Sequence, residues 1–429
     1  MKNYHIQASN LSGTTVLPSS KSQSLRAVLF ASLAQGTSMI ENALPSPDIA
    51  AMISACRQLG AFIKQQGNRY IITGVNGKPR TPDDVIDAGN SGQVLRYIAC
   101  VAGLQHQYIV ITGDRSIRHN RPVQPLIEAL TQLGMICVSM RGDDHAPLII
   151  KGPFNGNSTT LGGEDSQPVT GLLIASAFRE QTMTIKVRNA GEKPWIELTL
   201  SWLDRLRIAC HHHDFTEYQI TGRANVPAFH YRIPGDLSSL AYPLVAALVT
   251  KSEITINNVD MTEPQGDKAI VEVLKNMGAN IRINQQHKTL TVHKTKMLQG
   301  MEIDANDFVD CVTILAVVGC FALGTTIITG VGIARMKESD RITAITCELK
   351  KMGADIEEQP DGLIIRSAPL HAAVVNSHHD HRIAMSLAVA ALAIEGETTI
   401  RHIDCVQKSF PNFVDAMRSL GARIAIDAE

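Results

Sequence analysis

The feature that most constrains this chain is a phrase that returns six times. A helix end with Gly-Ala, a short strand, a polar turn and a second strand recur. The copies are RQLGAFIKQQGNRYIITG, TQLGMICVSMRGDDHAPLIIKG, DRLRIACHHHDFTEYQITG, KNMGANIRINQQHKTLTVHK, KKMGADIEEQPDGLIIRS and RSLGARIAIDAE. Their anchors are Gly60, Gly134, Arg207, Gly278, Gly353 and Gly421, spaced by 74, 73, 71, 75 and 68 residues. Glycine suits that point because it ends a helix in a left-handed conformation that other residues reach at a cost. Arg207 therefore marks a copy that has drifted. Between these anchors lies a second phrase, in which a polar loop opens an apolar helix followed by a strand rich in Thr, Ile and Val. Examples are SSKSQSLRAVLFASLAQGTSMIENA and HDHRIAMSLAVAALAIEGETTIRHI. These helices are apolar nearly all round, which predicts burial inside a domain. Their first residues are Ser, Asn, Asp or Gly, which cap helix starts. Each copy reads strand–helix–strand–helix–strand–strand, so the fold class is α/β, built from six repeats.

A length of 429 residues allows two or three domains. Forty Lys+Arg against 41 Asp+Glu give a net charge of -1, which argues against nucleic acid as the partner. The longest uncharged apolar run, near residues 311–323, is shorter than the roughly 20 residues a membrane span needs. The opening MKNYHIQASNLSG has no apolar core of signal-peptide length. Eight scattered cysteines without a C-x-x-C pair suggest reduced thiols rather than a disulfide framework or a zinc site. The expectation is a cytoplasmic protein with no membrane or nucleic-acid partner.

Polar and charged residues gather at the starts of the apolar helices. They are Lys21, Ser22 and Arg26; Asn90, Ser91 and Arg96; Ser166 and Gln167; Asp310; and Asp380, His381 and Arg382. Exposed N–H groups and the positive dipole end make such starts anion sites. Capping alone explains the Ser, Asn and Asp of any single copy. It does not explain arginines at matched places, nor Arg121, Lys337, Arg341 and Lys408 in the connecting segments. If the starts point at one cleft, that cleft is cationic in a protein of nearly zero net charge. A small substrate with several negative groups follows.

LPSSKSQSLRA at 17–27, GNSGQVLR at 89–96, NRPVQPL at 120–126, DSQ at 165–167 and KPWIELTL at 193–200 stand in order along the chain. They are followed by DCVTILA at 310–316, RMKESDRI at 335–342, HDHRIAMSLAVA at 379–390 and KSFPNF at 408–413. As a set the chain resembles the enolpyruvyl transferases, specifically the 5-enolpyruvylshikimate-3-phosphate synthase family. The resemblance implies two domains, each of three βαβαββ units around a pseudo-threefold axis, an inverse α/β barrel-like fold. It places residues 1–20 plus 236–429 in one discontinuous domain and 21–235 in an inserted one, with the active site in the cleft between them. It implies transfer of the carboxyvinyl group of phosphoenolpyruvate to the 5-hydroxyl of shikimate 3-phosphate, releasing phosphate, in chorismate biosynthesis. Neither cofactor nor metal is implied, and a monomer is expected.

Carried over residue by residue, the resemblance assigns phosphoenolpyruvate binding to Lys21, Gly92, Arg121, Gln167, Arg341, Arg382 and Lys408. It assigns shikimate 3-phosphate binding to Lys21, Ser22, Arg26, Ser166, Gln167, Asp310 and Lys337. Asp310, Glu338 and Lys21 are the catalytic set, with Asp310 serving the hydroxyl and Glu338 the methylene carbon. Arginine suits the donor clamp because it stays charged and binds carboxylate or phosphate in a two-pronged fashion. Plainer readings stand beside these. Lys21 and Ser22 could be a surface helix cap, Gly92 a helix-start glycine, and Asp310 an N-cap. Arg341 could be a helical ion pair with Glu338 three residues earlier. His381 is expected to orient its neighbours. His211–His213 reads as surface, and His378, His379, Asp380 and His381 need no metal to explain them.

Four positions depart from the family pattern. Asp165 and Glu192 stand where serines usually help hold the acceptor phosphate, Gln93 replaces Thr, and Ile333 replaces a polar residue. Carboxylates beside a phosphate should repel it. Either they turn away and leave Ser166, Lys193 and backbone N–H groups to bind, or the acceptor differs. A UDP-N-acetylglucosamine enolpyruvyl transferase is disfavoured by Ser22 and by the lack of a Cys between Cys100 and Cys137. A non-catalytic relative is disfavoured by the presence of Asp310 and Glu338. Nothing supports the nucleotide-linked histidine chemistry of an RNA 3′-phosphate cyclase.

Overall fold

The computed structural model describes residues 2–428. The chain forms two compact units, residues 1–18 with 235–429 and residues 19–234. Each unit has its own apolar core and three four-stranded sheets.

All six sheets obey one rule. A first strand runs parallel to the second, and the remaining two pairings are antiparallel. In the inserted unit, His230–Arg232 lies parallel to Thr37–Glu41, which pairs antiparallel with Arg69–Thr73, itself antiparallel to Phe62–Gln66. In the other unit, Val374–Asn376 lies parallel to Glu397–Arg401; Lys2–Gln7 follows antiparallel and Arg423–Ala428 closes the sheet. The chain's first strand thus completes the sixth repeat. The strand Ser12–Val16 likewise joins the fourth, running parallel to Glu253–Asn257. The sheet strands alternate buried and exposed residues, as in Thr325–Thr329, so one face covers the core and the other meets water.

The repeated glycines do what the spacing predicts. Gly60, Gly134, Gly278, Gly353 and Gly421 all have φ between 79° and 102°. Arg207 takes the same left-handed turn at φ 57°, so the drifted copy keeps the backbone and accepts the strain. Each repeat contributes one helix that is buried along nearly its whole length: Lys21–Leu33, Gly92–Val101, Ser166–Ala177, Leu237–Val249, Val312–Phe321 and His381–Ala391. Five start on a capping side chain, Ser20, Ser91, Asp165, Asp236 or Asp380, which accepts a backbone N–H two or three residues on. No helix among the described residues is long and apolar enough to cross a membrane.

Candidate active site

In the inserted unit three buried helices begin close together. Gly92 shows how close. A Cβ there would stand 2.8 Å from Arg96 Nη1, 2.9 Å from Arg121 Nη1 and 3.1 Å from Gln167 Oε1. Only glycine leaves those groups where they are. Arg121 donates to Asn90 Oδ1 at 3.2 Å, and Gln93 donates to Ser22 Oγ at 3.4 Å. Arg26 is buried, and all its nitrogens have partners within this unit. Nε donates to Thr199 Oγ1, Nη1 to the Ser22 carbonyl and Nη2 to the Trp195 carbonyl, at 3.0–3.1 Å. Burial pulls its pKa down. Lys21 opens the first of these helices.

The two unexpected carboxylates behave differently from each other. Asp165 caps its helix by accepting the Gln167 N–H, and its other oxygen pairs with Arg96 at 3.0 Å. Glu192 does not turn away. One of its oxygens accepts both the N–H and the Oγ–H of Ser166, at 3.0 and 2.9 Å. Lys193 is exposed, with its ammonium over the Phe215 ring. Ile333 packs against the core of the other unit.

In the second unit a buried guanidinium organises the site. Arg341 binds Asp380 through Nε at 2.8 Å, Asp310 through Nη1 at 2.7 Å and Glu338 through Nη2 at 2.7 Å. Burial opposes its charge, yet Asp380, Glu338 and Asp310 hold its pKa above the ordinary arginine value. Arg382 binds the second oxygen of Asp310 at 2.5 Å, and Lys408 binds the second oxygen of Glu338 at 2.6 Å. Burial disfavours the charge on Arg382 too, and Asp310 together with Tyr242 and Asp267 more than offsets it. Lys337 lies half-buried beside Glu338 in the same connecting segment. The cluster is a fixed alternation of carboxylates and cations, in which Asp310 and Glu338 are spaced by one guanidinium.

Asp310 is not the cap of its helix: the segment Asn306–Cys311 is a tight 3₁₀ turn, and Val312–Phe321 begins on Cys311 without a side-chain cap. The ion pair of Arg341 with Glu338 does form, as one of three. His381 is buried beside Asp380, its Nδ1 3.5 Å from the carboxylate. His378 bonds Glu348 and the His379 ring stacks on His402, so these neighbours turn to different partners. His211–His213 lies in an exposed strand.

Sequence reasoning missed two acids. Asp380, expected among the charged helix starts with no role of its own, both caps its helix and fixes Arg341. Asp267, in the segment EPQGDKAI, is wholly buried 3.9 Å from Arg382. Burial first, and then the nearby charge of Asp310, push its carboxyl up to about 7. An acid after a Pro-Gln-Gly turn, just before a helix, carries no signal by itself; its position comes from the packing of a short 3₁₀ turn, Gly266–Lys268, near the Asp310 turn.

The sequence profile of EPSP synthase (3-phosphoshikimate 1-carboxyvinyltransferase) matches residues 6–417. A 3-phosphoshikimate 1-carboxyvinyltransferase of Ruminiclostridium cellulolyticum is 40% identical over 421 residues, covering 98% of this chain and 99% of its own. One from Methanocella arvoryzae is 42% identical over 425 residues, covering 98% and 99%. The solved EPSP synthase of Acinetobacter baumannii superposes with a TM-score of 0.82 at 26% identity, over 100% of both chains. On these full-length matches the chain belongs to the EPSP synthase family.

Proposed function

We propose that this chain transfers the enolpyruvyl group of phosphoenolpyruvate to the 5-hydroxyl of shikimate 3-phosphate and releases phosphate. The observation that carries the reading is the pair Asp310 and Glu338, held on one guanidinium with their second oxygens on Arg382 and Lys408. The reaction needs two proton sites of fixed position and several fixed cations, and this cluster offers both.

Asp310 takes the proton of the 5-hydroxyl as its oxygen attacks C2 of phosphoenolpyruvate. Glu338 delivers a proton to the methylene carbon, which becomes a methyl group. A proton then returns from that methyl to Glu338 while the bond between C2 and the phosphate's bridging oxygen breaks, restoring the vinyl group on the product, and Asp310 passes the hydroxyl proton to the departing phosphate. Lys408 donates to Glu338 Oε1 at 2.6 Å and fixes the position of that carboxyl. The donor's carboxylate and phosphate fall to Arg121, Arg341, Arg382 and Lys408, with Lys21, Gly92 and Gln167. The acceptor falls to Lys21, Ser22, Arg26, Ser166, Gln167, Asp310 and Lys337. Proton transfer of this kind contributes on the order of 10²–10⁴-fold per group. No step calls on a cofactor or metal, and the protein works as a monomer in the cytoplasm.

The test is phosphate release from phosphoenolpyruvate with shikimate 3-phosphate or unphosphorylated shikimate as acceptor. One phosphate per acceptor consumed, with the phosphorylated acceptor preferred, is the expected result. Absence of release with either acceptor would refute the reading.

A further inference from the structure

The acceptor side of the site already contains an anion. Ser166 is the first residue of the helix Ser166–Ala177, and its N–H and hydroxyl are the donors such a start offers to a negative ligand. Both are taken by one oxygen of Glu192. Glu192 is 3% exposed, so water does not share this carboxylate freely. Its backbone sits at φ 47°, ψ 36°, a left-handed conformation that L side chains other than Asn and Asp seldom adopt. A strained backbone persists where its surroundings hold it, and here the hold includes two hydrogen bonds from Ser166. The adjoining residue is Gly191, and the helix Lys193–Arg205 begins immediately after, so the strain is confined to one corner of the chain.

We propose that Glu192 is a displaceable internal anion, which fills the acceptor's phosphate seat on Ser166 until the phosphate of a bound acceptor takes its place. The proposal rests on the assignment of Ser166 to the acceptor made above. One N–H and one hydroxyl cannot serve two anions at once, so phosphate binding must release Glu192. A phosphate monoester carries up to two charges and three accepting oxygens, against one charge and two oxygens for a carboxylate. Release also lets the residue leave its strained backbone. The acceptor brings further contacts through its own carboxylate and hydroxyls, and their binding energy drives the exchange. A free oxyanion has no such contacts. Glu192 therefore discriminates against inorganic phosphate, the product of the reaction, at the acceptor's end of the site.

The test compares the native chain with Glu192→Gln, which keeps length and removes charge, and Glu192→Gly, which also removes the left-handed strain. Inorganic phosphate is titrated calorimetrically, and the KM values for both substrates are measured. Both variants are expected to bind inorganic phosphate at least tenfold more tightly. The ratio of the shikimate 3-phosphate KM to the phosphoenolpyruvate KM should fall, more for Gly than for Gln. Phosphate affinity that is unchanged or weaker in both folded variants would overturn the proposal. So would a native chain that uses unphosphorylated shikimate as well as the phosphorylated acceptor, because the phosphate would then gain nothing from the seat on Ser166. A failure of the functional reading looks different: no phosphate release from phosphoenolpyruvate at all, with the phosphate titrations still deciding the role of Glu192.

Discussion

Arg26 and Arg341 are equally buried, each 1% exposed, and they are neutralised in opposite ways. Arg341 meets three carboxylates. Arg26 meets two backbone carbonyls and a hydroxyl, with its guanidinium 5.7 Å from the Tyr97 ring centroid. Dipoles orient a cation without cancelling its charge, whereas carboxylates do both. Arg26 therefore keeps a positive field available to a ligand. Arg341 works mainly as the post on which Asp310 and Glu338 are mounted. Their pKa values move accordingly, Arg26 down through burial and Arg341 up because its carboxylates outweigh burial.

The largest expected effect comes from the acids on that post. Asp310→Asn and Glu338→Gln should each lower kcat by about 10²–10⁴-fold. Steady-state rates will show it, and unaltered kcat in both would mean the acids serve structure alone. Removing the post is next. Arg341→Met leaves carboxylates facing one another in a buried place and should cost about 3–5 kcal/mol in urea unfolding. The matching change, Arg26→Met, leaves only neutral acceptors behind. It should cost about 1–3 kcal/mol, the desolvation scale of unmet acceptors, and weaken the acceptor KM more than the donor KM. Equal stability losses in the two variants would erase the contrast.

The smallest effect is a pH dependence confined to one unit. The Asp267 carboxyl keeps its proton up to about pH 7 when folded, against 3.8 as the ordinary value. Between those values the folded chain binds more protons than the unfolded one, so stability falls as pH rises through that window. Asp267 faces Asp310, Arg382, Ser238 and Asp236, so the carboxylate formed at higher pH meets two acids as well as one guanidinium. Asp267→Asn should flatten the Tm-against-pH curve between pH 4.5 and 7.5. A variant curve with the native slope would assign the dependence to other groups.

The repeat was readable because it lies in local chemistry. A glycine at each helix end, a cap at each start and period-two strands write the same phrase six times. Arg207 was legible as drift, though its retained left-handed turn was not, because that turn is held by its surroundings. That Arg341, Arg382 and Lys408 gather with Asp310 and Glu338 was readable because whole motifs carry them. What stayed hidden depends on contacts between copies. That Glu192 turns inward to Ser166 joins residues 26 apart along two segments. Asp267 and Arg382 come from different repeats, and no periodicity marks either as the other's neighbour. The plainer reading of Asp310 as a cap fails for the same reason: a helix-start acid looks like a cap until two guanidinium groups from elsewhere claim it.

The sheet closed by Lys2–Gln7 and Arg423–Ala428 also sets a timetable for synthesis. Every strand of the inserted unit pairs within residues 37–232, so its partners have all left the ribosome when barely half the chain is made. The first strand to emerge has no such luck. It waits with open backbone edges for Glu397–Arg401 and for the last strand of all. An unpaired edge invites association with other chains, and a larger chain exposes such edges longest. The expected nascent species is a folded middle carrying a loose head, and protease digestion of ribosome-bound chains stalled near residue 300 should spare the middle and remove the head. A head already resistant at that length would mean that it finds a temporary partner before its permanent one exists.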